Sequence, residues 1–311
     1  MSDTEYTDGR ISSMVSKTFN LFVSGFNKFV ILALPGALSS LFLLYYYYNK
    51  VGQLGELTPR VIITFIVITI INLVFSVIFT AALLNSAYSI SINPIGESIT
   101  ESIKKGIKRF FPLIGFILLA SIIACVWIFL TVFLPLIFIG VPLMSSLEPM
   151  SITTAIIIIL IALAGLISLV LIFGVPISLY GEPEICVKKK CGVFEALNNS
   201  FTGIRGLRIK GFAYLIIISL IQLAFIALLF LASYLIVSVI TSSRGILLKD
   251  LFSQGEEFTK INYLFGLTSS LASLVTVPFQ TSAITVFYRT FKFEEEEEEE
   301  ENIILEETHT S

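Results

Sequence analysis

Few residues in this chain are of a type that could do chemistry. The single histidine is His309, close to the C-terminal end, which argues against a Ser-His-Asp set, a Cys-His pair or a histidine-based metal centre. Cys186 and Cys191 form a Cys-x4-Cys pair with no nearby histidine and no further cysteine, a poor zinc spacing. No GxxxxGK[ST] phosphate loop occurs. The densest polar stretch is 182–210, EPEICVKKKCGVFEALNNSFTGIRGLRIK. There Glu182, Glu184 and Glu195 stand among Lys188, Lys189, Lys190, Asn198, Asn199 and Arg205. The three lysines with Arg205 could hold lipid headgroups or a partner. The plainer alternative is that they only fix topology beside a surface helix.

Two further polar sets follow helical spacing. Thr69, Asn72, Ser76 and Thr80 form one stripe, and Ser269, Ala272, Thr276 and Gln280 another. In hydrocarbon such stripes are expected to turn inward, where hydroxyl and amide groups bond across helices at roughly 0.6–2 kcal/mol each. A polar path between helices is the alternative, but no ionisable residue joins either stripe. Neither a metal nor a cofactor is expected, and no nucleic-acid partner.

The elements carrying these residues are membrane spans. Of 311 residues 55% are hydrophobic and only 14% charged, and the charges are segregated into loops and termini. A bilayer core of about 30 Å needs roughly 20 apolar residues in a helix. Segments 61–84, 111–144, 152–180 and 211–241 contain no charge, and neither do 29–48 and 263–287. That predicts six spans. Pro135 and Pro142 predict a tilt or break in the long third segment, and Pro176 and Pro278 predict kinks. The runs are continuous rather than alternating, which disfavours a β-barrel. No cleavable signal peptide is expected ahead of the first segment.

With six spans both termini share a side. Fifteen Lys and Arg lie on that side, while five (Lys50, Arg60, Arg244, Lys249, Lys260) lie on the other. This imbalance predicts cytoplasmic termini. Tyr45 to Tyr48 and Tyr288 fall at span ends and are expected to anchor in the interface.

An amphipathic pattern recurs three times. Ile11, Val15, Phe19 and Phe22 match Ile99, Ile103, Ile107 and Phe110, and then Val193, Leu197, Phe201 and Ile204. Each set puts four apolar side chains on one helical face. Opposite them stand Ser12, Ser16 and Lys17, then Lys104, Lys105 and Lys108, then Asn198, Asn199 and Arg205. This is the pattern of a helix lying in the headgroup plane, and each copy is followed by two spans.

The run GEPEICVKKKCGVFEALNNSFTGIRG, with Gly192, Glu195, Ala196, Leu197 and Ser200, resembles a six-span prokaryotic membrane family. Weaker echoes lie at Gly96, Glu97, Ser102 and Tyr288-Arg289. That family includes the membrane domain attached to some glycerophosphodiester phosphodiesterases, along with archaeal and bacterial proteins of undefined activity. In the fused relatives a soluble barrel does the catalysis, and this chain has no room for one. The resemblance therefore implies a stand-alone module in a prokaryotic cell membrane.

The sequence thus predicts an all-α polytopic membrane protein of three tandem units, each an interfacial helix plus two spans. Residues 1–293 would form the membrane domain and 294–311 an acidic, disordered tail. The expected activity is non-enzymatic, organising partners or lipids through cytoplasmic amphipathic helices. The alternative is a permease or exporter for a small or amphiphilic solute. The expected partners are the lipid bilayer and another membrane or cytoplasmic protein.

Overall fold

The computed structural model describes residues 10–46, 58–135, 137, 152–188, 191–243 and 266–292. These are helical almost throughout, with no strand among the described residues. Helix α1 is Ile11–Tyr46, α2 is Pro59–Ile92 and α3 is Ile99–Phe133. Helix α4 starts as Ile152–Leu169 and ends as Glu182–Val187. Then come α5 (Val193–Thr202), α6 (Arg208–Ser243) and α7 (Gly266–Lys292). All but α5 are long and apolar enough to cross a membrane, which makes six spans.

The three-fold repeat is visible in where helices begin. Ile11, Ile99 and Val193 each open a helix and occupy the same position in the repeat. Ser98 accepts a hydrogen bond from the Glu101 N–H at 3.3 Å. At the matching place in the third copy, Glu195 accepts one from the Gly192 N–H at 3.4 Å. Both are halves of a capping box that satisfies an orphan donor of the first turn.

The copies then diverge. In the first two, the amphipathic segment and the following span form one uninterrupted rod. At 36 residues, α1 is about 54 Å long, well beyond the bilayer core. Only the third copy has a separate amphipathic helix; the sequence predicts an interfacial one in all three. There Gly203 and Gly206 replace Leu21 and Ser24 of copy one and Arg109 and Pro112 of copy two. Gly203 caps α5, and Gly206 takes φ of +94°, a conformation costly for any residue with a Cβ, in the turn before α6.

The apolar sets, read above as lipid-facing, are not what packs inside the protein in the first two copies, although Ile204 of the third is buried. Phe19 and Ile107 of the apolar sets are exposed, and the buried positions lie one place round the helix. Met14, Ser102 and Ala196 are equivalent, and all are at 0% exposure. Thr18, Gly106 and Ser200 are equivalent and buried too. A Cβ on Gly106 would sit 2.4 Å from the Ile78 carbonyl, so α2 and α3 approach backbone to backbone. Lys17, assigned above to a polar outer face, is buried. In lipid the large apolar side chains are already solvated, and small residues that permit close approach take the interior.

The helices cluster into two compact units. The first holds the described parts of 1–110 and 216–286. Within it, Ser39 and Ser40 of α1 donate to the Asn72 side-chain oxygen at 2.6 and 3.3 Å. Phe279 meets the rings of Phe19 and Phe22 at 5.0 and 5.6 Å. The Gln222 amide donates to the Thr276 carbonyl at 2.9 Å. Lys28 donates to the carbonyls of Ile95 and Glu97, binding the turn that follows α2.

The second unit holds the described parts of 111–215 and 287–311. Its α4 does not break at Pro176. Proline lacks an N–H and its ring crowds the carbonyl four residues back. The helix instead widens into π turns on either side, Val170–Gly174 and Ile177–Gly181. A similar turn, Phe129–Phe133, closes α3 ahead of Pro135. Of the six spans, α7 is the most buried, at 56% against 6–22% for the others.

Candidate functional site

The polar stretch 182–210 folds around Glu184, all within the second unit. Pro183, which lacks an N–H, follows directly on the second π turn of α4, next to Glu184. Glu184 is 2% exposed. Its Oε1 accepts from Lys188 Nζ at 2.9 Å, one helical turn on, and from Asn199 Nδ2 of α5 at 3.1 Å. Its Oε2 accepts from the hydroxyl of Tyr288 on α7. Lys292 Nζ donates to that same hydroxyl at 3.1 Å and lies 5.3 Å above the Tyr288 ring.

Close packing fixes the groups around this cluster. Tyr180 meets Tyr288 edge-on at 5.1 Å between ring centres. Gly203 lies against Tyr180, where a Cβ would come within 2.6 Å of the ring. Gly181 lies against Phe116 and Ser200 in the same way. Carboxylate, phenol and ammonium thus form a chain that could relay a proton in principle. A carboxylate this buried offers no room for a substrate, and its charges are matched by donors. The cluster reads as a clamp holding α4, α5 and α7 together.

Tyr288 is therefore not an interface anchor but a fully buried donor at 0% exposure. Tyr45 is exposed, at 55%. Lys188, predicted for lipid or partner contact, is engaged by Glu184 and lies 3.7 Å from Glu195. The hydrogen bond it donates to Glu184, with both carboxylates nearby, raises its pKa above the usual lysine value despite some burial. Arg205 is exposed in the turn between α5 and α6. Lys189 and Lys190 lie outside the described residues, as do Tyr47, Tyr48 and the tail.

The intramembrane stripes are only partly brought together. Asn72 bonds to α1 as described, and Ser76 and Thr80 line a cavity of about 140 Å³ with Ser40 and Ser273. Thr276 returns its hydroxyl to the Ala272 carbonyl at 3.1 Å. Gln280, Ser269 and Thr69 are exposed, so neither stripe turns inward along its whole length. The inward polar positions of α7 are instead Thr281, Ser282 and Thr285, each bonded to the carbonyl four residues back. Such back-bonding satisfies the hydroxyls within their own helix and leaves that face free to pack closely.

Around the Glu184 cluster several large apolar side chains remain uncovered. Phe194 on α5, Ile209 at the start of α6 and Phe111 on α3 are 77%, 77% and 80% exposed. Val193, beside Phe194 in the chain, lies against Gly115, one helical turn beyond Phe111. Arg205, in the turn after α5, is exposed as well. Among the described residues no group of three or more His, Cys, Asp or Glu could hold a metal.

Fold and composition define a multi-pass helical membrane protein in contact with the bilayer. No family model, no curated protein and no solved structure matches the chain.

Proposed function

We propose that this protein is a non-enzymatic module of the cell membrane that organises anionic lipid, and through it a partner protein, at a cytoplasmic face carrying both termini. The observation that carries this reading is the exposure of Phe194 on the separate amphipathic helix α5, of Phe111 on α3 and Ile209 on α6, and of Arg205 in the turn that follows α5. Apolar side chains enter the acyl boundary while cations meet anionic headgroups. The resemblance of the 181–206 run to the six-span membrane family supports a membrane module. The test replaces Phe194 with Ser and Arg205 with Gln, then compares lipids co-purified in native nanodiscs with those of the parent. Depletion of anionic lipid in both variants supports the proposal, and unchanged lipid and partner profiles overturn it.

The second reading, a permease for a small polar solute, is favoured by the cavity lined with Ser40, Ser76, Thr80 and Ser273. It expects Ser76→Leu to abolish flux in a correctly folded protein. Identical uptake and efflux in a deletion strain and its parent would remove it.

A further inference from the structure

Two carboxylates leave the end of α4 in opposite senses. Glu184 turns into its ring of donors, whereas Glu182 lines a separate groove between α3 and α4, all within the second unit. The groove has a volume of about 260 Å³. Its walls are apolar, with Ala120 and Ala124 on one side and Val170, Phe173 and Gly174 on the other. Apart from Ser121, Glu182 is its one polar lining residue. Among the described residues no cation forms an ion pair with Glu182.

The shape of the groove follows from the backbone. Val170, Phe173 and Gly174 belong to the first π turn, and Ile177 opens the second. A π turn inserts one extra residue and re-aims the side chains that follow, and such turns recur at functional sites. A Cβ on Gly174 would meet Val170 only at ordinary van der Waals distance, so close packing does not require a glycine there. From Leu169 to Glu182 the groove runs along α4 for about 20 Å at a helical rise.

We infer that this groove binds a single amphiphile with an ammonium head, its alkyl tail along Ala120, Ala124 and Phe173 and its head on Glu182. An apolar channel ending in a carboxylate that no described cation pairs complements a cation on a tail. An anionic lipid would meet repulsion at that end, and a neutral one would leave the carboxylate unpaired. This site is independent of the lipid-organising surface at Phe194 and Arg205.

The chain carries its own reporter. Trp127 is its one tryptophan, and its ring stands 5.2 Å from that of Phe173. Purified full-length protein in neutral maltoside micelles is titrated with a nitroxide-labelled alkyltrimethylammonium and with the equally long nitroxide-labelled fatty acid. The cationic probe quenches Trp127 saturably at about tenfold lower concentration, the ratio given by ~1.4 kcal/mol of preference. Glu182→Gln removes the preference and leaves residual quenching, Glu182→Asp retains it, and Gly174→Leu fills the groove and abolishes saturable quenching by both probes. Size-exclusion and circular-dichroism profiles matching the parent confirm that each variant is folded. Equal quenching by both probes in the parent, or a preference that survives in folded Glu182→Gln, overturns the assignment.

Discussion

Removing one oxygen, Tyr288→Phe, tests the clamp at its centre. The ring keeps its packing against Tyr180, so the change is confined to the hydroxyl. Lys188 and Asn199 both serve Oε1 of Glu184, and the Tyr288 hydroxyl serves Oε2. The variant therefore strips the donor from a buried carboxylate oxygen and takes an acceptor from Lys292. A hydrogen bond to a charged group contributes about 1.5–3 kcal/mol, and an orphaned buried acceptor costs a similar amount. We expect a loss of about 2–3 kcal/mol, larger than the ~0.6 kcal/mol average for neutral bonds between helices in a membrane. Reversible unfolding by SDS in mixed micelles measures it directly. Crossing Tyr288→Phe with Glu184→Gln should give a coupling of about 1 kcal/mol or more. A loss below about 0.5 kcal/mol, or strict additivity, would refute the clamp.

Gly106→Ala should cost about 1–3 kcal/mol by forcing α3 away from the Ile78 carbonyl, whereas Gly192→Ala meets open space and should unfold within about 0.5 kcal/mol of the parent. Gly206→Ala has no steric neighbour but must hold φ of +94°, so thermal melting should register a purely conformational loss of about 1 kcal/mol or more. Ser39→Ala removes the 2.6 Å bond to Asn72 and should lower stability in SDS by about 0.6–1.7 kcal/mol. The Glu184 hydrogen bond raises the Lys188 pKa from 10.5, so the pair's contribution is complete below that pH and is lost as pH rises through the elevated value. A stability profile to high pH should fall there, and the fall should shrink in Lys188→Gln.

Hydropathy was enough to count the spans, because length and lack of charge are properties of the segment alone. The repeat was also legible, since Ile11, Ile99 and Val193 all open helices. Which face packs was not legible from apolar periodicity. In water an apolar face marks the interior, but beside lipid it can equally mark the outside, and Thr18, Gly106 and Ser200 took the interior instead. The break after α5 had a signal in Gly203 and Gly206, which the other two copies lack. The pairing of Glu184 with Tyr288 had a weaker one. An acid and a tyrosine at two span ends on one side can meet, but 104 residues separate them and only packing brings them together. Gln280 failed as an inward residue because regular spacing defines a stripe without saying what the stripe faces.

The central claim is that three related hairpins cross the membrane with their helix-opening elbows on one side. Single cysteines at Arg10, Ser98 and Arg205, each in a background lacking Cys125, Cys186 and Cys191, can be probed in oriented vesicles with a membrane-impermeant maleimide. These three positions should label from the cytoplasmic side, and Thr58→Cys only from the opposite one. Labelling of Arg10→Cys and Arg205→Cys from different sides would contradict it.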